Sequence, residues 1–142
     1  MATKTERPSV PKAVQDCREL LLWMIPHLDK LPKNRRYTLG EKLENRLLTI
    51  LESLVTAAYA PNKRTFLFQA NRDLEVCRHL WRLCYDFKAV PSKSYEHGGR
   101  LMFELGKQVG GWGEGNACAG MGGDRFNTRK DMHGLDTMRK VP

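Results

Sequence analysis

Apolar residues recur at alternating spacings of three and four along four separate stretches of the chain, the period of helices packed along one face. The clearest is the third, from Arg64 to Lys88, where Leu67, Ala70, Leu74, Cys77, Trp81 and Cys84 form the seam. At about 100° per residue, Arg72, Glu75, His79, Arg82 and Asp86 fall in a row roughly opposite, with Arg64 and Arg78 on its flank. The pattern predicts a bundle helix with a polar, arginine-rich back.

The first stretch predicts a helix from about Pro11 to Leu31, with Val14, Cys17, Leu21, Met24, Leu28 and Leu31 as its seam. Pro26 removes one backbone donor from it and is expected to bend it. Leu22 and Trp23 lie off the seam, and two readings of Trp23 stand side by side: a second buried surface, or a residue rolled back inward by the proline. The second helix is expected to start at Thr38, where Thr38-Leu39-Gly40-Glu41 has the form of a capping box, and to run to about Ala60. Its seam is Leu39, Leu43, Leu47, Ile50, Leu54 and Ala57. Leu48, Leu51, Val55 and Tyr59 widen the apolar arc to about half the circumference, more than a monomeric bundle needs. Those four and Trp23 are therefore the expected subunit interface.

Pro61 and Asn62 break the chain before the third helix, and Ala89 to Ser92 connects it to a fourth, from about Ser92 or Ser94 to Trp112. The fourth helix carries Gly98, Gly99, Gly106, Gly110 and Gly111, a composition that suggests close approach of its backbone to a neighbour. Four amphipathic helices with short connections give an all-α fold, an antiparallel up-and-down four-helix bundle. The domain expectation is a disordered arm over 1–9, the bundle over 10–112, and a mobile glycine-rich tail over 113–142.

Charge sharpens this picture. The sequence has 24 Lys plus Arg against 16 Asp plus Glu, a net charge of +8 and a pI near 9.5. Residues 33–112 hold 14 basic and 8 acidic side chains, while 1–32 and 113–142 hold 5 and 4 each. The excess belongs to the bundle and favours a polyanionic partner such as nucleic acid. No apolar run approaches the roughly 20 residues of a membrane span and the N-terminus has no secretory pattern, so a soluble, cytoplasmic protein without a membrane partner is expected. Cys17, Cys77 and Cys84 fall on seams and Cys118 in the tail, without metal or redox spacing.

Catalytic motifs are missing: there is no phosphate-cradling glycine loop, nucleophile elbow, zinc helix or paired core carboxylates, and His27, His97 and His133 are isolated. No cofactor or metal is expected. One constellation is similar to the Arg-x4-6-His motif of HEPN-type ribonucleases, Arg72 and His79 with Asp73 beside them, where a His would act as general base or acid and an Arg would steady phosphate. The bland alternative is a solvated row of charges. For nucleic acid, Arg35 and Arg36 in the first loop, Lys63 and Arg64 opening the third helix, and Arg72, Arg78 and Arg82 along it are the candidate phosphate contacts. No aromatic row interleaves with them in the sequence, which favours recognition of shape and backbone over stacking on bases.

The run from Leu20 to Trp112, with Pro26-His27, Arg35 to Gly40 and the closing Gly110-Gly111-Trp112 as its most telling pieces, closely resembles the accessory variability determinant (Avd) proteins of diversity-generating retroelements. Bundle proteins encoded in rRNA intervening sequences share much of the pattern. The resemblance implies a non-enzymatic, basic, pentameric barrel that binds the element's reverse transcriptase and nucleic acid. It implies a part in mutagenic retrohoming, in which template-repeat RNA is copied into adenine-mutagenised cDNA. A ribonuclease of the HEPN type, or an rRNA-type bundle protein without a polymerase partner, is the alternative.

Overall fold

A computed structural model of the chain describes residues 10–117. The expected arm over 1–9, most of the expected tail, Cys118 and His133 lie outside the described residues. Four long helices make up the fold: α1 (Lys12–Asp29), α2 (Glu41–Tyr59), α3 (Arg64–Asp86) and α4 (Ser92–Ala117). Each packs on two neighbours, α1 on α2, α2 on α3, α3 on α4 and α4 back on α1. Pairing is antiparallel where it can be followed residue by residue: Trp81 meets Gly98 and, one turn back on α3, Arg78 meets Gly106.

The expected seams are the core. Leu43, Leu47, Ile50, Leu54 and Ala57 of α2 are fully buried, as are Cys77, Cys84, Met102 and Leu105. Burying a Leu-sized side chain stabilises by about 1.5–3 kcal/mol, so these stripes hold the bundle together.

Helix α1 begins at the Pro11 carbonyl, which accepts from the Val14 and Gln15 amides, and continues unbroken through Pro26. Leu22, whose carbonyl loses its donor to the proline, is 72% exposed, so water can take the donor's place. The His27 ring Nδ1 lies 2.8 Å from the Trp23 carbonyl.

The start of the second helix differs from the sequence expectation. The chain turns helical at Lys33, just after Pro32. Arg36 to Gly40 then form a π-helical turn in which the Glu41 amide reaches the Arg36 carbonyl, and the helix continues into α2. The Thr38 hydroxyl donates backwards to the Asn34 and Arg35 carbonyls, so it caps nothing. Proline just ahead of a first turn, with its carbonyl free to accept from Arg35 and Arg36 at 2.8 Å, starts the helix earlier than the Thr38 signal. At the far end of the chain α4 runs to Ala117, beyond the expected stop at Trp112.

Close approach explains two of the α4 glycines. A Cβ on Gly98 would sit 2.8 Å from the Trp81 Nε1, and one on Gly106 would sit 2.7 Å from an Arg78 guanidinium nitrogen, whereas Gly99, Gly110 and Gly111 have open space.

Candidate nucleic-acid interface

The seven basic residues singled out from the sequence do not form one patch. Arg35 and Arg36 lie where α1 hands over to α2, and Lys63 and Arg64 lie at the opposite end of the 19-residue α2, about 30 Å away at 1.5 Å per residue. Arg78 and Arg82 are drawn against α4 with side chains only 11% and 15% exposed. Arg78 bonds Glu75 at 2.6 Å, and Arg82 bonds Asp86 at 2.9 Å while lying over the rings of Tyr85 and Tyr95. Arg72 is exposed on the outer face of α3.

The constellation of Arg72, Asp73 and His79 comes apart in the fold. Asp73 is 3% exposed and accepts from Arg46 of α2 at 3.0 Å. Being the residue before Leu74, it lies on the flank of the seam that α2 covers. His79 stays on the outer face, 3.6 Å from Glu75. With its acid drawn away to Arg46, the constellation keeps only Arg72 and His79 on the outer face, a poor setting for cleavage by general acid and base.

His27 and His97 are not isolated either. Both rings pack on Trp23, with centroids 3.9 Å and 4.8 Å away, and Trp23 sets its edge toward Trp81 at 6.1 Å. The inward reading of Trp23 therefore describes its surroundings, and Leu22 is the exposed neighbour. On α2, Leu48, Val55 and Tyr59 are exposed and Leu51 is packed at the core's edge. Val76 and Leu83 add exposed apolar surface on α3, the face read from the sequence as polar.

What the fold does assemble is one strongly basic end. The turns joining α1 to α2 and α3 to α4 meet there, fastened by the Arg35 guanidinium lying 4.1 Å from the centre of the Phe87 ring. Residues 29–36 and 86–93 bring six cations, Lys30, Lys33, Arg35, Arg36, Lys88 and Lys93, against two carboxylates, Asp29 and Asp86, and Asp86 is already bonded to Arg82. None of the six is in an ion pair among the described residues. Lys33, Arg35 and Arg36 also crowd the first turns of a helix, where the macrodipole disfavours positive charge. The π-turn lies in the same place, and such turns gather at functional sites.

Lys88 is the other irregular residue. Its φ is 61°, and it is the one non-glycine residue in the left-handed region among those described. Its amide bonds the Tyr85 carbonyl at 2.9 Å and the Ala89 amide bonds the Cys84 carbonyl at 2.8 Å, the two bonds of a Schellman end to α3. Glycine usually occupies that position, and a lysine there costs about 1 kcal/mol.

Aromatic rings are present at this end after all. Tyr37, 61% exposed, lies beside the Arg36 guanidinium at 5.6 Å, and Phe87, 51% exposed, lies under Arg35. Sequence reasoning missed both, along with Lys88: Phe87 reaches the first loop only through the fold, while Tyr37, next to Arg36 in the chain, is a single ring and not a row. The absence of glycine after Asp86-Phe87 was the available signal for Lys88.

Among the described residues no group of three His, Cys, Asp or Glu is placed to hold a metal ion, and no helix is long and apolar enough to cross a membrane. No curated protein matches the chain. A profile of bAvd-like proteins, the bacterial Avd proteins of diversity-generating retroelements, matches residues 13–115, which takes in nearly all of the four helices and both loops of the basic end. The chain therefore belongs to the bAvd-like family.

Proposed function

We propose that this protein is a non-enzymatic accessory subunit of a diversity-generating retroelement, acting in the cytoplasm. It binds the element's reverse transcriptase together with template-repeat RNA or the cDNA copied from it, and so supports mutagenic retrohoming. Family membership supports the setting. The observation that carries the chemistry is the basic end of the bundle, six cations without a carboxylate partner among the described residues. Cations left without a carboxylate partner are the ones free to displace counterions from a phosphate backbone. Arg35 and Arg36 are the main contacts in this reading, with Arg64 and Arg72 as outlying ones, while Arg78 and Arg82 serve chiefly to fasten α3 to α4.

The assembly is a homo-oligomer, a pentamer as in the Avd pattern. Exposed apolar residues on α2, with Leu22 of α1, supply the surface for subunit contact. A ring of bundles would repeat the basic end around one axis and multiply weak phosphate contacts.

The test is co-purification of tagged full-length protein with the neighbouring reverse transcriptase and its RNA, with the mass of the complex read by light scattering. A complex holding several copies of this chain is the expected result. Failure to associate with either partner would overturn the proposal.

A further inference from the structure

Resting on the nucleic-acid reading above, we infer that the basic end of the bundle discriminates between strands: it binds unpaired nucleotides in preference to duplex. The ring of Phe87 is half exposed although the Arg35 guanidinium lies 4.1 Å from its centre. Tyr37 is more exposed still and has Arg36 beside it. Two aromatic faces, each next to a guanidinium, offer flat apolar surfaces within reach of positive charge. A duplex keeps its base faces stacked on one another and presents only phosphates and groove edges, so it gains nothing from these rings. An unpaired base can lie on Phe87 or Tyr37 while its neighbouring phosphates meet the cations.

Lys88 supplies an independent observation. It adjoins Phe87 in the left-handed conformation that glycine would adopt without strain. A side chain kept at an unfavourable backbone position is the kind of local strain that accompanies function. Here the Schellman end of α3 fixes the Lys88 backbone next to the proposed stacking ring, which leaves its exposed side chain within reach of a phosphate following the stacked base.

The experiment measures binding of the full-length protein to a fluorescein-labelled RNA of about 12 nucleotides, single-stranded and as its duplex, at several salt concentrations. The protein as it stands is expected to bind the single strand more tightly. In the paired substitution Tyr37→Leu with Phe87→Leu, which keeps both positions apolar, single-strand affinity should fall about tenfold or more while duplex affinity stays the same. Equal affinity of the unaltered protein for both probes, or equal effects of the substitution on both, would overturn this inference and leave the nucleic-acid reading standing. No binding to either probe at low salt would overturn both.

Lys88→Gly separates a structural from a binding role. It should raise the melting temperature, because the strain is relieved, and lower single-strand affinity, with the salt slope reduced by about one. A more stable protein with unchanged affinity would remove Lys88 from the site.

Discussion

Trp81 lies so close to Gly98 that a methyl group there would be 2.8–2.9 Å from three atoms of the indole. Trp81 is almost wholly buried, and its Nε1 donates to the Tyr95 carbonyl at 2.9 Å. The ring can neither retreat into a full core nor swing aside without losing that bond. Gly98→Ala should therefore destabilise the protein by about 2 kcal/mol. At Gly99, where an added methyl meets nothing within 4 Å, the same change should stabilise it by up to about 1 kcal/mol. Urea midpoints at constant slope measure both, and similar shifts at the two positions would contradict the packing account.

Arg46 and Asp73 tie α2 to α3 through a bond of 3.0 Å, with one Asp73 oxygen buried and unpartnered. Arg46→Met would strand a buried carboxylate. Because the Arg46 side chain is 37% exposed, water would moderate the penalty, and a loss of about 2 kcal/mol is expected, below the range for a fully buried pair. Adding Asp73→Leu should recover most of that loss. A double-mutant cycle reads the coupling, and strictly additive losses would show that the two residues act independently.

The seams of the first three helices were legible in the sequence because burial along a helix follows its period; of their side chains only Leu39, in the π-turn ahead of α2, is no more than half-buried. Three features were not. Thr38 to Glu41 has the letters of a capping box, but Pro32 starts the helix first, and a local rule cannot see which of two signals acts earlier. The sequence sets Asp73 beside Arg72 and His79, because a seam drawn from apolar residues says nothing about its polar flank, which Arg46 completes from another helix. The basic end is built from two loops about fifty residues apart, so Phe87 comes beside Arg35 only when the bundle closes, whereas Tyr37 already follows Arg36 in the chain.

Burial pushes the thiols of Cys17 and Cys77 from an ordinary 9.0 up to about 12 and that of Cys84 to about 11. They remain protonated, and so unreactive, near neutral pH. Alkylation of the native protein should spare these three, and unfolding in urea should expose them all. The folded state favours the protonated form, so this contribution to stability is intact below about 9.0 and lost as pH rises toward the folded values. Urea midpoints should fall across that alkaline window. Labelling of Cys17 or Cys77 in the native protein would show that the core opens locally.

Leu48, Val55 and Tyr59 expose an apolar row on α2 that none of the described helices covers, with Tyr59 84% exposed. If this row is the subunit contact, Leu48→Glu with Val55→Glu places charge in the interface without touching the monomer's core. Helical content and melting of the isolated bundle should then be retained while the mass in solution falls to that of one chain. Trp23→Glu makes a poorer probe, because Trp23 packs against His27, His97 and Trp81 within the same chain, and its loss would mix unfolding with dissociation. Leu22→Glu tests the α1 side of the contact more cleanly, since that side chain is exposed and lies next to Trp23 in the chain. An oligomer that keeps its mass in both variants would move the interface to Val76 and Leu83 on α3. The subunits would then meet on the helix that carries Arg72, with the apolar row of α2 left free.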